Sequence, residues 1–280
     1  MAESRGSKAL GRRGVPISGA STVIFFGIVA LVVVFTPGSG VVRQSFFSWP
    51  GLERSFLGSR STPSVIGAFW LDVRIFLVSK VFILLLALAI AVVRGIPGPA
   101  FFPLRLVAVA YTDLFRGVPL ILVLYLIGFG IPGLNLRVVS YQPDVVYGIA
   151  ALVLVYSAYV AEVYRAGIES VHESQDAAAR SLGLTRWQSL RFVVLPQAIR
   201  RVIPPLLNDF IGLQKDMALV SVLGPIEAAR AAQIYGASRF NYSSYVVAAL
   251  LFVLITIPLA RFTDHLIARD KRRRQAGGAS

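Results

Sequence analysis

Residues 162–191 read EVYRAGIESVHESQDAAARSLGLTRWQSLR and run straight into FVVLPQAIRRVIPPLLNDF, residues 192–210. The first stretch is a polar island between segments apolar enough to cross a bilayer. Its middle is rich in small residues, and the spacing predicts a helix over Gln175–Leu182, stopped by Gly183. A second short amphipathic helix is expected around Trp187–Phe192, ahead of Leu195-Pro196. A plain connection between two membrane helices needs a few turn residues. This one is long enough to fold as a helical knob that stands out from the membrane.

Composition supports the apolar half of that reading. The chain of 280 residues is 56% hydrophobic and only 15% charged, where soluble domains carry about 25% charge. Its mean hydropathy is +0.70. No charge lies between Gly14 and Val42, and about 20 apolar residues suffice for a helical crossing. Backbone groups must satisfy one another in lipid, so spans are helices. Six are expected: Ile17–Thr36, Val65–Val93, Leu106–Ile131, Val145–Ala161, Phe192–Leu223 and Ser243–Arg261. Residues 37–63, rich in Gly, Ser and Pro, read as a solvent-side connection. The basic start and the apolar run Ala20–Phe35 resemble a secretory signal. The run is at the long end for a signal core, however, and no small-x-small cleavage site follows, so a retained helix is the reading.

Cations set the orientation. With the N-terminus inside, fifteen Arg and Lys fall on the cytoplasmic side, against six on the other: Arg43, Arg54, Arg60, Arg137, Arg230 and Arg239. This positive-inside bias puts both termini and the polar island in the cytoplasm. The net charge of +14 is then a topology signal. The tail RDKRRR reads as an anchor against membrane lipid, in preference to a nucleic-acid site. The chain has no Cys, which excludes disulfides and thiolate chemistry.

The island and its surroundings resemble a known family. Ala177-Ala178-Ala179, Gly183 and Val193-Val194-Leu195-Pro196 keep the spacing of the coupling-loop signature of ABC-importer membrane subunits. YTDLFRGVPLILVLYLIGFGIP (residues 111–132), SAYVAEVYRAGIES (157–170) and LPQAIRRVIPPLLNDFIGLQKDMALVSVLG (195–224) look like the polar amino-acid branch of those permeases. The likeness runs in order over residues 65–268. It implies an all-α polytopic bundle of five core transmembrane helices, one added N-terminal helix, and a cytoplasmic coupling-helix loop. The division implied is a basic tail (1–16), the extra helix and its connection (17–64), the permease domain (65–268) and a second basic tail (269–280). It further implies a permease for a polar amino acid or related small polar metabolite, paired with a second permease chain. A cytoplasmic ATPase dimer that binds ATP-Mg and an extracytoplasmic substrate-binding protein would complete the importer. A permease for a different small solute and a self-sufficient, ion-coupled secondary carrier are the alternatives.

Within that resemblance the coupling loop comprises Asp176, Ala177, Ala178, Ala179, Gly183, Leu195 and Pro196. Ala177 stands where the family usually has Glu, and Asp176 is one residue earlier. That shift turns a side chain by about 100° on a helix. The candidate substrate path comprises Tyr156, Asn208, Asp209, Lys215 and Asp216. Seven residues return a helix to nearly the same face, so Asn208 stacks over Lys215 and Asp209 over Asp216. Ionisable groups inside a membrane segment face water, a partner charge or the bundle interior. Two readings stay open: a polar stripe along a path, or an ion-pair lock of Lys215 with Asp209 or Asp216. Pro204-Pro205 is expected to break the helix just before the stripe. Asp113 and Arg116, three apart, are expected to pair, and Glu162, Arg165 and Glu169 to brace the start of the loop. His172 and His265 are isolated, which argues against a metal site. No Gly-x-x-x-x-Gly-Lys-Ser/Thr loop occurs, so hydrolysis of ATP is assigned to another chain.

Overall fold

The computed structural model describes residues 38–277, with side chains to residue 269, together with Ile24, Gly27, Ile28, Leu31 and Phe35. The expected first span and N-terminal tail otherwise lie outside the described residues.

Residues 37–63, read as a connection, hold two helices: α1 (Ser39–Phe46) and α2 (Trp49–Leu57). Ser48 caps α2 by accepting from the Gly51 N–H at 3.1 Å, and Pro50 sits in the first turn, where its missing donor costs nothing. The turn residues of this segment are helix ends. The long helix α3 (Val65–Gly95) follows. Next come α4 (Phe102–Gly117), α5 (Leu120–Tyr125), a π-helical turn Leu126–Gly130 and the short α6 (Ile131–Gly133). The expected third span is thus not one rod. Its halves meet at 107° on either side of Val118-Pro119, because proline lacks a donor and disfavours helix in the residue before it.

The second half comprises α7 (Asp144–Glu169), α8 (Glu173–Ser181), α9 (Arg186–Ser189), α10 (Leu195–Asp216), α11 (Ala228–Arg239) and α12 (Ser243–Gly277). A π-helical turn Leu190–Val194 joins α9 to α10, and a 3₁₀ stretch Met217–Leu223 extends α10. The Trp187 helix is therefore not separate; it is the first turn of the fifth span. Nor does Pro204-Pro205 break that span, for both lie inside α10. Three helices, α3, α7 and α12, are long and apolar enough to cross a membrane. The two bent pairs, Pro99–Gly133 and Arg186–Arg239, bring the total among the described residues to five if each is one span.

The main core lies where α3, α7 and α10 meet, around Ile75, Ile83, Leu152, Val155, Phe210 and Leu213. A second cluster of Val65, Ala68, Ala228, Ala231, Ala232 and Ala248 joins α3, α11 and α12. Small residues permit this close approach in lipid, where water gives no hydrophobic drive. Leu77, Leu85, Leu88 and Val92 on the outer face of α3 are exposed, as expected of a lipid-facing surface.

Candidate functional site

The knob is built by local rules. Helix α8 ends in a Schellman motif: the Gly183 N–H donates to Arg180 O at 3.0 Å and the Leu184 N–H to Ala179 O at 3.3 Å. That closure needs left-handed backbone, and Gly183 has φ +90° with open space around it. Thr185 and Gln188 then form a capping box that starts α9. Ala179 and Ser189 are buried between the two helices, while Leu182 and Trp187 stand out at 83% and 67% exposure. The Ser189 hydroxyl donates to Asp176. Asp176 thus faces inward and ties α8 to α9, while Ala177 and Ala178 face outward. Leu195 and Pro196 are exposed at the base of the knob.

Below the knob, Glu162 on α7 gathers cations from three helices. Arg94, at the end of α3, donates to it at 2.9 Å; Arg165 pairs with it one turn on, and Arg116 from α4 lies 3.9 Å away. Arg165 also bridges to Glu169. The expected brace of Glu162, Arg165 and Glu169 thus closes, but Arg94 joins from 68 residues away in sequence. Arg116 turns to Glu162 instead of Asp113, which is exposed.

Two cavities run along α7 and α10 beside this hub. The inner one, about 460 Å³, is lined by Tyr156, Tyr159, Asn208, Asp209, Gly212 and Asp216, with the Arg116–Leu120 corner. The outer one, about 650 Å³, extends past Glu162 and Ser170 to Arg200, Arg201, Pro204 and Pro205. Arg116, Tyr159 and Asp209 line both. Because neither proline has an N–H, two carbonyls one turn back lose their helical donors beside the outer cavity. The Tyr156 hydroxyl donates to Asp216 Oδ2 at 2.8 Å, and the Tyr159 hydroxyl to Arg116 O at 3.3 Å. Asp209 Oδ2 is buried with no hydrogen-bond partner.

The structure therefore brings Tyr156, Asn208, Asp209 and Asp216 together. Lys215 is exposed and borders neither cavity. The proposed lock is absent, since no ion pair within 4.0 Å joins Lys215 to Asp209 or Asp216. Tyr159 and Arg201 are cavity residues that the sequence reading passed over. Tyr159 lies three residues after Tyr156, a spacing that places both on one helical face. Among the described residues no three His, Cys, Asp or Glu are grouped to hold a metal.

The family model for the binding-protein-dependent transport system inner membrane component matches residues 100–272. The chain belongs to this family. It is a multi-pass membrane protein. The probable glutamine ABC transporter permease protein GlnM of Bacillus subtilis is 36% identical over 185 residues, covering 66% of this chain and 82% of that protein. The arginine transport system permease protein ArtQ of the same organism is 30% identical, covering 74% and 92%. A crystal structure of an amino acid ABC transporter with histidines superposes with TM-score 0.66 at 32% identity, covering 73% of this chain and 93% of that one. The inward-facing MetNI methionine ABC transporter shares the fold at TM-score 0.59 and 19% identity, covering 73% and 95%. Membership in a binding-protein-dependent family removes the self-sufficient carrier from contention.

Proposed function

We propose that this chain is the permease subunit of an ABC importer for a polar amino acid. It forms a transmembrane path with a second permease chain, fed from outside by a substrate-binding protein. An ATPase dimer in the cytoplasm, holding ATP-Mg, drives it through the knob at residues 173–196. The observation that carries this reading is the pair of cavities along α7 and α10, which share Arg116, Tyr159 and Asp209 and lie beside the start of the knob. Their volumes fall within the range of about 300–1,000 Å³ usual for small-molecule sites. The Glu162 hub supports the same reading, because it connects α3, α4 and α7 where the knob begins. Closure of the motor dimer would rock these helices as rigid bodies.

The knob is tested at Gly183. A side chain there is strained at φ +90° whatever the space around it, so Gly183→Asp distorts the knob and leaves the membrane bundle alone. Uptake is expected to fall at least about tenfold, while the permease still inserts, because knob geometry transmits the ATPase stroke. Normal uptake at normal expression defeats the coupling role. Orientation is tested in this Cys-free chain with Ser174→Cys, whose thiol should be shielded from an impermeant reagent in intact cells. Labelling from outside reverses the topology.

A further inference from the structure

We propose that the two cavities select an amino acid with a cationic side chain, Asp209 holding that cation and Arg116 receiving the α-carboxylate. This rests on the amino-acid permease reading and narrows its substrate class. The charges facing the cavities are Asp209, Asp216, Glu162, Arg116, Arg200 and Arg201. Three of the six have protein partners. Glu162 is engaged by Arg94 and Arg165, Asp216 by Tyr156, and Arg201 by the Ser170 carbonyl.

Asp209 differs. Its Oδ2 is buried and unpartnered, and its residue lines both chambers. A partly desolvated carboxylate without a donor is costly, and a cation that donates hydrogen bonds relieves it. Tyr159, partly exposed on the same chamber wall, offers an aromatic face suited to a guanidinium or ammonium group. Arg116 is 42% exposed and only 3.9 Å from Glu162, beyond hydrogen-bond length, so its donors remain open to a carboxylate. A glutamine side chain would leave the Asp209 charge uncompensated, and a glutamate side chain would be repelled by it. A buried polar group left unpaired by the wrong ligand is a strong source of discrimination.

The test uses the whole transporter, expressed with its own ATPase and binding protein in cells lacking other amino-acid carriers. Uptake of L-arginine, L-lysine, L-glutamine and L-glutamate is compared, and the purified membrane complex is titrated calorimetrically with L-arginine and L-glutamine without binding protein. The expected result is uptake of arginine and lysine, and direct binding of arginine in preference to glutamine. Asp209→Asn should weaken arginine binding roughly tenfold or more, with the complex recovered at wild-type yield. Asp209→Glu should restore part of it. Uptake of glutamine or glutamate without arginine overturns the substrate class and leaves the amino-acid permease intact, as does unchanged arginine binding in Asp209→Asn. An assembled complex that moves no amino acid overturns both.

Discussion

Two pairs of carboxylates pack among the helices of the bundle, and they are held in different ways. Asp72 on α3 and Glu227 before α11 are both fully buried. Glu227 accepts from the Ala229 and Arg230 N–H groups, each at 2.7 Å, and Asp72 Oδ2 from the Ala228 N–H at 3.2 Å. Three successive amides at the start of α11 are thereby satisfied by two acids. These are donors that a helix start buried within the protein cannot leave to water. Asp209 and Asp216 are only half-buried, border a cavity, and have no backbone donor. Burial alone thus says little about what a membrane carboxylate does. The first pair closes the bend after Gly224 and belongs to the fold. The second borders a cavity, although one oxygen of Asp209, Oδ2, is buried without a partner, as is Oδ1 of Asp72.

The contrast is broken or kept most clearly by stability. Glu227→Ala orphans two buried amides and should destabilise the permease by about 2 kcal/mol or more. Asp209→Ala in the same thermal-unfolding assay should stay close to wild type. If the two fall together, the distinction between fold acid and cavity acid is lost. A smaller effect sharpens the same point. Asp72→Asn keeps an acceptor for the Ala228 amide and removes a charge packed close to a second buried acid, so stability should hold or rise. A loss of more than about 1 kcal/mol would mean that the charge of Asp72 supports the structure after all.

These roles were unequally legible in the sequence. The seven-residue return put Asn208 and Lys215 on one face and Asp209 and Asp216 on another. The structure divides them in that way, with the first two exposed and the last two half-buried. What a single-helix wheel cannot show is the partner helix. Arg116 shares a turn with Asp113, but its nearest acid is Glu162, reached from α7, which packs against α4. Asp72 and Glu227, 155 residues apart, carry no motif that announces their meeting. Lys80 is similar. It sits within an apolar span with its Nζ 4.6 Å from the Phe210 ring centroid and 5.7 Å from that of Phe76, a cation–π shelter supplied by α10 as well as α3. The knob was the most readable part, because its turn and caps are local: Gly183, Thr185 and Gln188 act on their own neighbours. Its one misreading, a separate Trp187 helix, arose at Leu190–Val194. There a π-helical turn lets α9 run on into the span.

The smallest expected effect bears on the cavity pair itself. Gly212 lies opposite Tyr156, and a methyl group there would come within 3.1 Å of the Tyr156 hydroxyl oxygen. In an exposed helix interior Gly→Ala is worth up to about 1 kcal/mol in favour of the helix, so Gly212→Ala should not unfold α10. The added methyl should instead push Tyr156 by a few tenths of an ångström and loosen its 2.8 Å bond to Asp216. Freed of its donor, Asp216 becomes a second open acceptor in a chamber where Asp209 is already one. A change in substrate affinity of no more than about threefold is expected, with complex recovery unchanged, since a shifted neutral hydrogen bond to a charged group is a partial loss. The decisive control is Tyr156→Phe. If Gly212 acts only through that hydroxyl, Gly212→Ala added to Tyr156→Phe should change affinity no further. Independent, additive effects would show that the glycine shapes the chamber directly, and that the Tyr156–Asp216 bond is incidental to what the cavity holds.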